Sequence, residues 1–389
     1  MRSLAILGST GSIGQSTLDV VKSNPGLFDI QLLAAKSNYP LLLEQIKFFR
    51  PNFIYLDDKN SLAKLKSEIN TIDNTLEILD CEQDLLDFIS SSVIDTVVAA
   101  VVGIAGLNGV EAALSSGKRV LLANKESYVV AGEYLNRLCK ENGGLIIPLD
   151  SEHSAIHQCL SRGNQKEKAS RIILTGSGGP FLDKKKSDLV NVTMEEAINH
   201  PIWKMGKKIS VDSSTLMNKG LELIEAKWLF ESDTQEIEII IHPEGIVHSL
   251  VEFKDNSIIA QMGNPDMKIP IAYGLGFPDR IFSNVGSLDL SELGPLTFLD
   301  PDFDKFPCLG LAKEAMMAGG TAPTLLNAAN EVAVEAFLNQ SIKYLDISKV
   351  ISEVLERNEI KKVDNISSIK EVDSVARISA DLIIKGLAA

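Results

Sequence analysis

Short apolar runs that alternate with helical stretches fill the first 150 residues, and this alternation constrains the fold more than any other feature of the chain. Leu4–Leu7, Leu32–Ala35, Val97–Val102, Val120–Ala123 and Leu145–Leu149 are continuously apolar, the pattern of strands buried on both faces. Between two of them, Gly103–Arg119 reads as a helix closed by Gly117. Strands that alternate with helices predict a parallel sheet with crossover helices. Residues 1–150 are therefore expected to form a Rossmann-like, doubly wound α/β domain.

The pattern changes after residue 150. Arg171–Leu174, Ile237–Ile241, Val247–Phe253 and Ser257–Met262 read as strands, and the closeness of the last three predicts a meander. Residues 151–290 are thus expected to form a central α+β domain. Pro295, Pro301 and Pro307 mark a connector over 291–312. Residues 313–389 read as a C-terminal helical bundle, because Ile347, Val350, Ile351, Val354 and Leu355 make one apolar stripe at helical spacing.

The balance of charges excludes some partners. Asp and Glu outnumber Lys and Arg, 52 to 38, for a net charge of −14. A nucleic-acid binder needs a basic face to neutralise phosphates, which speaks against that class but not against a small anionic substrate. Cys81, Cys139, Cys159 and Cys308 form no CxxC pair, so a disulfide scaffold or zinc knuckle is not expected and a reducing cytoplasm is the simplest setting. No apolar run is long enough to span a membrane. Met1-Arg2-Ser3 leads straight into a strand, so no targeting peptide is expected.

Gly8-Ser-Thr-Gly11-Ser-Ile-Gly14 follows the first strand and opens a helix that Asn24-Pro25 ends. Glycines there let the backbone turn tightly against a pyrophosphate, and the helix N-terminus favours its charge. The spacing is GxxGxxG, which also suits a purely structural turn. The next strand ends in Ala35-Lys36-Ser37-Asn38, where an NAD enzyme would carry an acidic residue for the ribose hydroxyl. A basic residue with a hydroxyl and an amide beside it suits the 2′-phosphate of NADP; a solvated lysine at a strand end is the plainer alternative.

Asp150-Ser151-Glu152 follows the fifth apolar run, at the strand end where open α/β sheets carry their sites. In an extended segment residues i and i+2 point the same way, so both carboxylates reach one cation. With a third carboxylate they make a hard oxygen site for Mg²⁺ or Mn²⁺. The same residues also suit a helix N-cap. His153 and His157 are four apart, but no Glu follows His153, so HExxH zinc chemistry is not expected.

The middle of the chain gathers anion-binding groups. Thr175-Gly-Ser177-Gly-Gly-Pro180 is a nest-capable loop after a strand. If 216–229 is helical, Asn218 and Glu222 share a face. Ser177, Ser213, Asn218 and Lys219 could jointly donate to a phosphate. Between these segments lies His200-Pro-Ile-Trp203-Lys-Met205-Gly206, in which a Pro- and Gly-flanked Trp203 reads as a lid or as core at a domain seam.

Six segments in order resemble the 1-deoxy-D-xylulose 5-phosphate reductoisomerase family over nearly the whole chain: GSTGSIG at 8–14, LLANKES at 121–127, PLDSEH at 148–153, LTGSGGPF at 174–181, HPIWKMGKKISVDSSTLMNKGLE at 200–222 and NAANE at 327–331. The resemblance implies that Asp150, Glu152 and Glu222 hold a divalent cation, Mn²⁺ or Mg²⁺. It implies that Ser177, Ser213, Asn218 and Lys219 hold the substrate, largely its phosphate, with Lys125, Ser151 and His200 also at the substrate. NADPH would contact Thr10, Gly11, Ser12, Ile13, Ser37, Asn38, Asn124, Glu126 and Gly206. Trp203 and Met205 match the lid, and His248 and Met267 match positions that line the site. It further implies three domains, a homodimer, and the conversion of 1-deoxy-D-xylulose 5-phosphate to 2-C-methyl-D-erythritol 4-phosphate in non-mevalonate isoprenoid synthesis. The sequence departs from relatives locally, with Ala35-Lys36-Ser37-Asn38 where a Gly often precedes the basic residue.

Two other readings use the same residues. In a metal-free NADP-dependent dehydrogenase Asp150 and Glu152 would serve only as caps, and metal dependence of turnover separates the two. In an NADP(H)-sensing protein without catalysis a partner surface would be needed, and the acidic balance speaks against DNA.

Overall fold

The computed structural model describes residues 1–69, 76–160, 169–203, 205–232 and 236–387. In the first 160 residues seven strands, β1 (Arg2–Leu7), β2 (Phe28–Ala35), β3 (Phe53–Leu56), β4 (Glu77–Leu79), β5 (Thr96–Ala99), β6 (Arg119–Leu122) and β7 (Leu145–Pro148), alternate with helices. The helices are α1 (Ser12–Lys22), α2 (Tyr39–Phe49), α3 (Lys59–Ile69), α4 (Glu82–Ser90), α5 (Leu107–Ser115), α6 (Lys125–Asn142) and α7 (Ser151–Leu160). Next come α8 (Met194–Ile198), α9 (Lys207–Ser214), α10 (Met217–Leu229) and α11 (Lys268–Gly276), with strands β8 (Arg171–Gly176), β9 (Ile237–Ile241), β10 (Val247–Glu252) and β11 (Ile258–Met262). The chain ends in α12 (Pro307–Ala318), α13 (Ala322–Leu338), α14 (Asp346–Arg357) and α15 (Ile366–Leu387).

Two compact units result. The first takes Met1–Ser127, Leu135–Ser154 and Asp266–Gly286; the second takes Tyr128–Tyr134, Ala155–Pro265 and Ser287–Ala389. In the first, all seven strands are parallel in the order β4-β3-β2-β1-β5-β6-β7. Leu4, Ile6, Leu33, Ile54, Val98 and Leu121 are fully buried in its core, as strands covered on both faces require. The strand order reverses between β1 and β5, the crevice where open sheets bind ligands. Gly8 sits there with φ +85°, and a Cβ on it would lie 2.5 Å from the Ala100 carbonyl oxygen. Only glycine lets this loop close on the neighbouring strand end. The apolar helix α11 returns to this unit, with Ile271, Ala272, Tyr273 and Leu275 buried in its core.

The second unit holds the smaller sheet, ordered β11-β10-β8-β9. The β10–β11 hairpin is antiparallel as expected, but the meander is not formed. β8 inserts between β10 and β9, pairing antiparallel with the first and parallel with the second. The long helical excursion between β8 and β9 is what allows that parallel crossover. Helix α12 packs on α10, α13 packs on α12 and α9, and α14 and α15 pack on α13; Ile347, Val350, Ile351 and Val354 of the expected stripe are all buried. One strand boundary also differs. β5 stops at Ala99, and Val102, expected within it, is 65% exposed just before Gly103 turns the chain at φ +74°.

The four cysteines are free thiols. Burial and the nearby Asp212 carboxylate push the Cys308 thiol up to about 12, so it remains protonated. Among the described residues no helix is long and apolar enough to cross a membrane.

Candidate active site

In the first unit the residues expected at the cofactor lie at the ends of neighbouring parallel strands. Gly8, Thr10, Gly11, Ser12 and Ile13 form the β1–α1 turn, with Gly11 as N-cap of α1. Lys36, Ser37 and Asn38 follow β2, and all three are exposed. Asn38 caps α2 through a bond from the Leu41 amide at 3.4 Å. Asn124, after β6, caps α6 by accepting from the Ser127 amide (3.1 Å) and donates its amide to the Gly103 carbonyl (2.8 Å). Glu126 is buried in the first turn of that helix.

The β7 end carries the carboxylates, but not on extended chain. The strand stops at Pro148 and α7 begins at Ser151, so Asp150 stands at the helix N-terminus and Glu152 in its first turn. The expectation of an extended Asp150–Glu152 segment is corrected accordingly: Asp and Ser start helices well, and their preference outweighs continuation of the strand. Both carboxylates still meet the positive end of the helix dipole. Asp150 accepts from the Ser151 amide at 2.9 Å, and the Ser151 hydroxyl donates to Glu152. Lys125, from the start of α6, forms an ion pair with Asp150 at 2.6 Å, and His153 Nδ1 lies 3.8 Å from the same carboxylate. Burial works to raise the Asp150 pKa, but Lys125 and His153 outweigh it and hold the carboxyl well below the usual carboxylate range. The role of His153 is one that the sequence did not suggest; its only signal was its place one turn after Asp150.

In the second unit the glycine-rich loop after β8 folds back onto α9 and α10. A Cβ on Gly179 (φ +68°) would lie 2.7 Å from the Ser213 carbonyl oxygen, and one on Gly176 would lie 2.9 Å from the Lys219 side chain. The loop therefore closes over both residues. Helix α10 runs from Met217, close to the expected 216–229, and brings Asn218, Lys219 and Glu222 onto one face. The Asn218 amide donates to Glu222 at 2.5 Å, and Lys219 pairs with the same carboxylate. Glu222 is 1% exposed, so both donors compensate a buried charge.

His200 joins the loop to the segment that follows. Its Nδ1 accepts from the amides of Ile202 (3.2 Å) and Trp203 (2.9 Å), so Nε2 carries the proton and donates to Ser177 Oγ at 3.0 Å. Ser177 Oγ also accepts from the Gly179 amide (3.3 Å), which leaves its own proton to donate outward. Burial lowers the His200 pKa, consistent with a neutral ring. Trp203 is half-buried, with its ring 6.4 Å from that of His248, and it stands outside the apolar core of the unit. His248 on β10 meets Gln261 Oε1 at 2.9 Å. Met205 is half-buried and Gly206 is the N-cap of α9. Met267 belongs to the first unit, as the N-cap of α11.

The fold and these groups define an α/β enzyme with a dinucleotide-type glycine turn and clustered carboxylate, lysine and hydroxyl groups. Comparison with known proteins narrows the class. Family profiles of 1-deoxy-D-xylulose 5-phosphate reductoisomerase match residues 4–132 and, for its C-terminal domains, 146–230 and 262–379. The reductoisomerase of Psychromonas ingrahamii is 47% identical, covering 99% of each chain, and that of Saccharophagus degradans is 49% identical, covering 97% of each. A crystal structure of DOX-P reductoisomerase with NADPH, fosmidomycin and magnesium superposes with a TM-score of 0.94 at 44% identity, over 99% of this chain and 98% of that one. The Zymomonas mobilis enzyme in complex with NADPH gives 0.93 at 39% identity, over 99% and 100%. The chain belongs to the 1-deoxy-D-xylulose 5-phosphate reductoisomerase family.

Proposed function

We infer that this chain converts 1-deoxy-D-xylulose 5-phosphate to 2-C-methyl-D-erythritol 4-phosphate, using NADPH and a divalent cation, Mg²⁺ or Mn²⁺. The observation that carries the reading at the site is the loop of Ser177 closing on Ser213 and Lys219 beside the buried Glu222 carboxylate. Asp150, Glu152 and Glu222 would hold the cation. Their donor chemistry fits, since oxygen-only carboxylate ligands suit a hard ion. When bound, the cation supplies Lewis acidity to the sugar ketone and hydroxyl oxygens, and NADPH supplies the hydride.

The chain's own groups do the remaining work. Ser177, Ser213, Asn218 and Lys219 hold the phosphate, so that remote binding energy orients the reacting carbons. Lys125 keeps Asp150 ionised, and Lys125, Ser151 and His200 face the substrate. His200 fixes the start of the Trp203–Met205 segment to Ser177, and this segment, with His248 and Met267 lining the site, excludes water. Gly8, Thr10, Gly11, Ser12, Ile13, Lys36, Ser37, Asn38, Asn124, Glu126 and Gly206 receive NADPH. In this reading residues 1–150 bind the cofactor, 151–290 carry the chemistry, 291–312 connect, and 313–389 form a helical domain. The same reading makes the protein a cytoplasmic homodimer that serves non-mevalonate isoprenoid synthesis.

The test is NADPH oxidation with deoxyxylulose phosphate, with and without Mn²⁺. Turnover that requires both substrate and metal is expected. Turnover that survives chelation would favour the metal-free dehydrogenase. NADH should be poorer by at least ~10-fold in kcat/KM, the worth of one charge-assisted contact. Equal use of the two nucleotides would overturn the NADP assignment.

A further inference from the structure

The turn between α9 and α10 joins Ser213 to Asn218 and Lys219, the groups assigned above to the phosphate, and it is strained. Leu216 sits at φ +57°, a conformation that side-chain-bearing residues seldom adopt and that persists only where surroundings impose it. Local bonds define its path: the Thr215 amide donates to the Val211 carbonyl (3.1 Å), the Leu216 amide to the Ser213 carbonyl (3.2 Å) and the Gly220 amide to the Leu216 carbonyl (3.0 Å), while Thr215 Oγ1 donates to the Asp212 carbonyl (3.1 Å) and accepts from the Met217 amide (3.3 Å). A second set of bonds, which fixes the turn in space, comes from much later in the chain. Asn330 on α13, fully buried, donates its side-chain amide to Asp212 Oδ1 at 2.8 Å. Asp212 is itself 1% exposed, and its other oxygen pairs with Lys208 at 2.9 Å. Tyr344, just before α14, donates its hydroxyl to the Ser214 carbonyl at 2.6 Å. Its ring is fixed by edge contacts with Phe181, which follows the glycine loop, and with Phe337. Residues 212 and 214 are thus clamped on either side of Ser213, whose carbonyl lies against Gly179.

We propose that Asn330 and Tyr344 are positioning residues, through which the C-terminal helices hold the α9–α10 turn so that Ser213, Asn218 and Lys219 meet the substrate phosphate as one preformed unit. Neither side chain contacts that group in this arrangement; each acts through the backbone or carboxylate it holds. The inference rests on the assignment of Ser213 to the phosphate made above. It assigns the C-terminal helices a part in substrate affinity beyond stability.

Tyr344→Phe deletes one hydroxyl and keeps the ring, so it is the primary variant. Losing this bond should raise KM for deoxyxylulose phosphate and the competitive inhibition constant of inorganic phosphate together, by about fivefold, while KM for NADPH stays unchanged. Asn330→Asp sets two carboxylates against each other and should raise both by about tenfold. Combining it with Asp212→Asn restores an amide–carboxylate bond with roles exchanged and should recover most of the loss. Equal shifts in the KM of substrate and NADPH, or an unchanged substrate KM in folded Tyr344→Phe, overturn the proposal. If Asn330→Asp does not fold, Tyr344→Phe decides alone. Ser213→Ala separates the two levels. If it leaves inhibition by phosphate unchanged, the phosphate assignment fails and the proposal with it; if it weakens inhibition while Tyr344→Phe does not, only the positioning role fails.

Discussion

The two units solve one problem by opposite routes. Each ends a strand in a glycine-rich loop, and each sets a lysine against a carboxylate that we propose as a ligand of the cation. In the first unit Lys125 and Asp150 are 25 positions apart and meet because β6 and β7 are neighbours in one parallel sheet. In the second, Lys219 and Glu222 are successive turns of a single helix. Both pairs are largely buried, with side chains 12% and 13% exposed in the first and 5% and 1% in the second. The difference lies in redundancy. Glu222 keeps the Asn218 side-chain amide as a second close side-chain donor, whereas beside Lys125 Asp150 has the Ser151 backbone amide at 2.9 Å and, farther off, the His153 ring at 3.8 Å. A charge built on one helix can gather several local partners; a charge at a strand end depends on what the sheet brings to it.

The largest expected effect comes from Glu222→Gln. The substitution keeps shape and an acceptor oxygen but removes the charge that balances Lys219 and would bind the cation. Turnover should fall by roughly 10²-fold or more, with a matching shift in the Mn²⁺ concentration required. The fold should persist, since Asn218 and Lys219 lose only one partner. Activity and melting temperature followed through the same Mn²⁺ titration decide it: wild-type activity at the wild-type Mn²⁺ concentration would remove Glu222 from the metal site.

Lys125→Met against Lys219→Met tests the redundancy argument with chelator present. Breaking a buried pair by deleting one partner costs about 3–5 kcal/mol, and Lys125→Met should approach this, while Lys219→Met should lose less because Asn218 remains. The sign with pH follows from Asp150. Its folded pKa lies below the unfolded value near ~3.9, so in the wild type its contribution is present above that pH and is lost only as pH falls through the folded value. Burial is the largest single influence on that carboxyl, and with Lys125 removed and His153 left to oppose it, the carboxyl should rise above its unfolded value. The deficit of Lys125→Met should therefore be greatest near neutrality and shrink on acidification towards about pH 4. Equal, pH-independent deficits in the two variants would contradict the comparison.

The same contrast explains what the sequence disclosed. The shared face of Asn218 and Glu222 follows from spacing once 216–229 is taken as helical, and the alternating strands of the first unit and its glycine turn follow from local pattern. What escaped depends on distant partners. Strand β3, Phe53–Leu56, is apolar throughout but buried only at alternate positions, and β4, three residues at the sheet edge, has no fully buried position and no apolar run. The insertion of β8 beside β9 is a matter of topology that local pattern does not encode. The N-terminus of α7 was legible only as an alternative, because Asp and Ser serve strand ends and helix caps alike. Lys125 entered through family resemblance, and its pairing with Asp150 could not be read before the sheet order was known. Asn330 lay within a recognised motif, NAANE, but its target Asp212 is 118 positions away.

The smallest expected effect concerns the segment that links Ser177 to Trp203. His200 must be neutral at Nδ1 to accept the amides of Ile202 and Trp203, and burial lowers its pKa accordingly. A histidine with a depressed folded pKa binds protons more readily when unfolded, so stability falls as pH drops below about 6.5. Once pH passes through the folded value, protonation removes both acceptor bonds and the segment should loosen from Ser177. Each bond is worth about 1 kcal/mol, so substrate KM should rise only a few-fold. Trp203 reports the change directly in a Trp228→Phe background, because the chain has two tryptophans. Quenching of Trp203 by acrylamide should increase as pH is lowered through this range. His200→Gln, which cannot titrate there, should give a flat profile. A flat profile in the wild type, or the same rise in His200→Gln, would show that His200 does not anchor the segment, and the second unit would then hold Trp203 by packing against His248 instead.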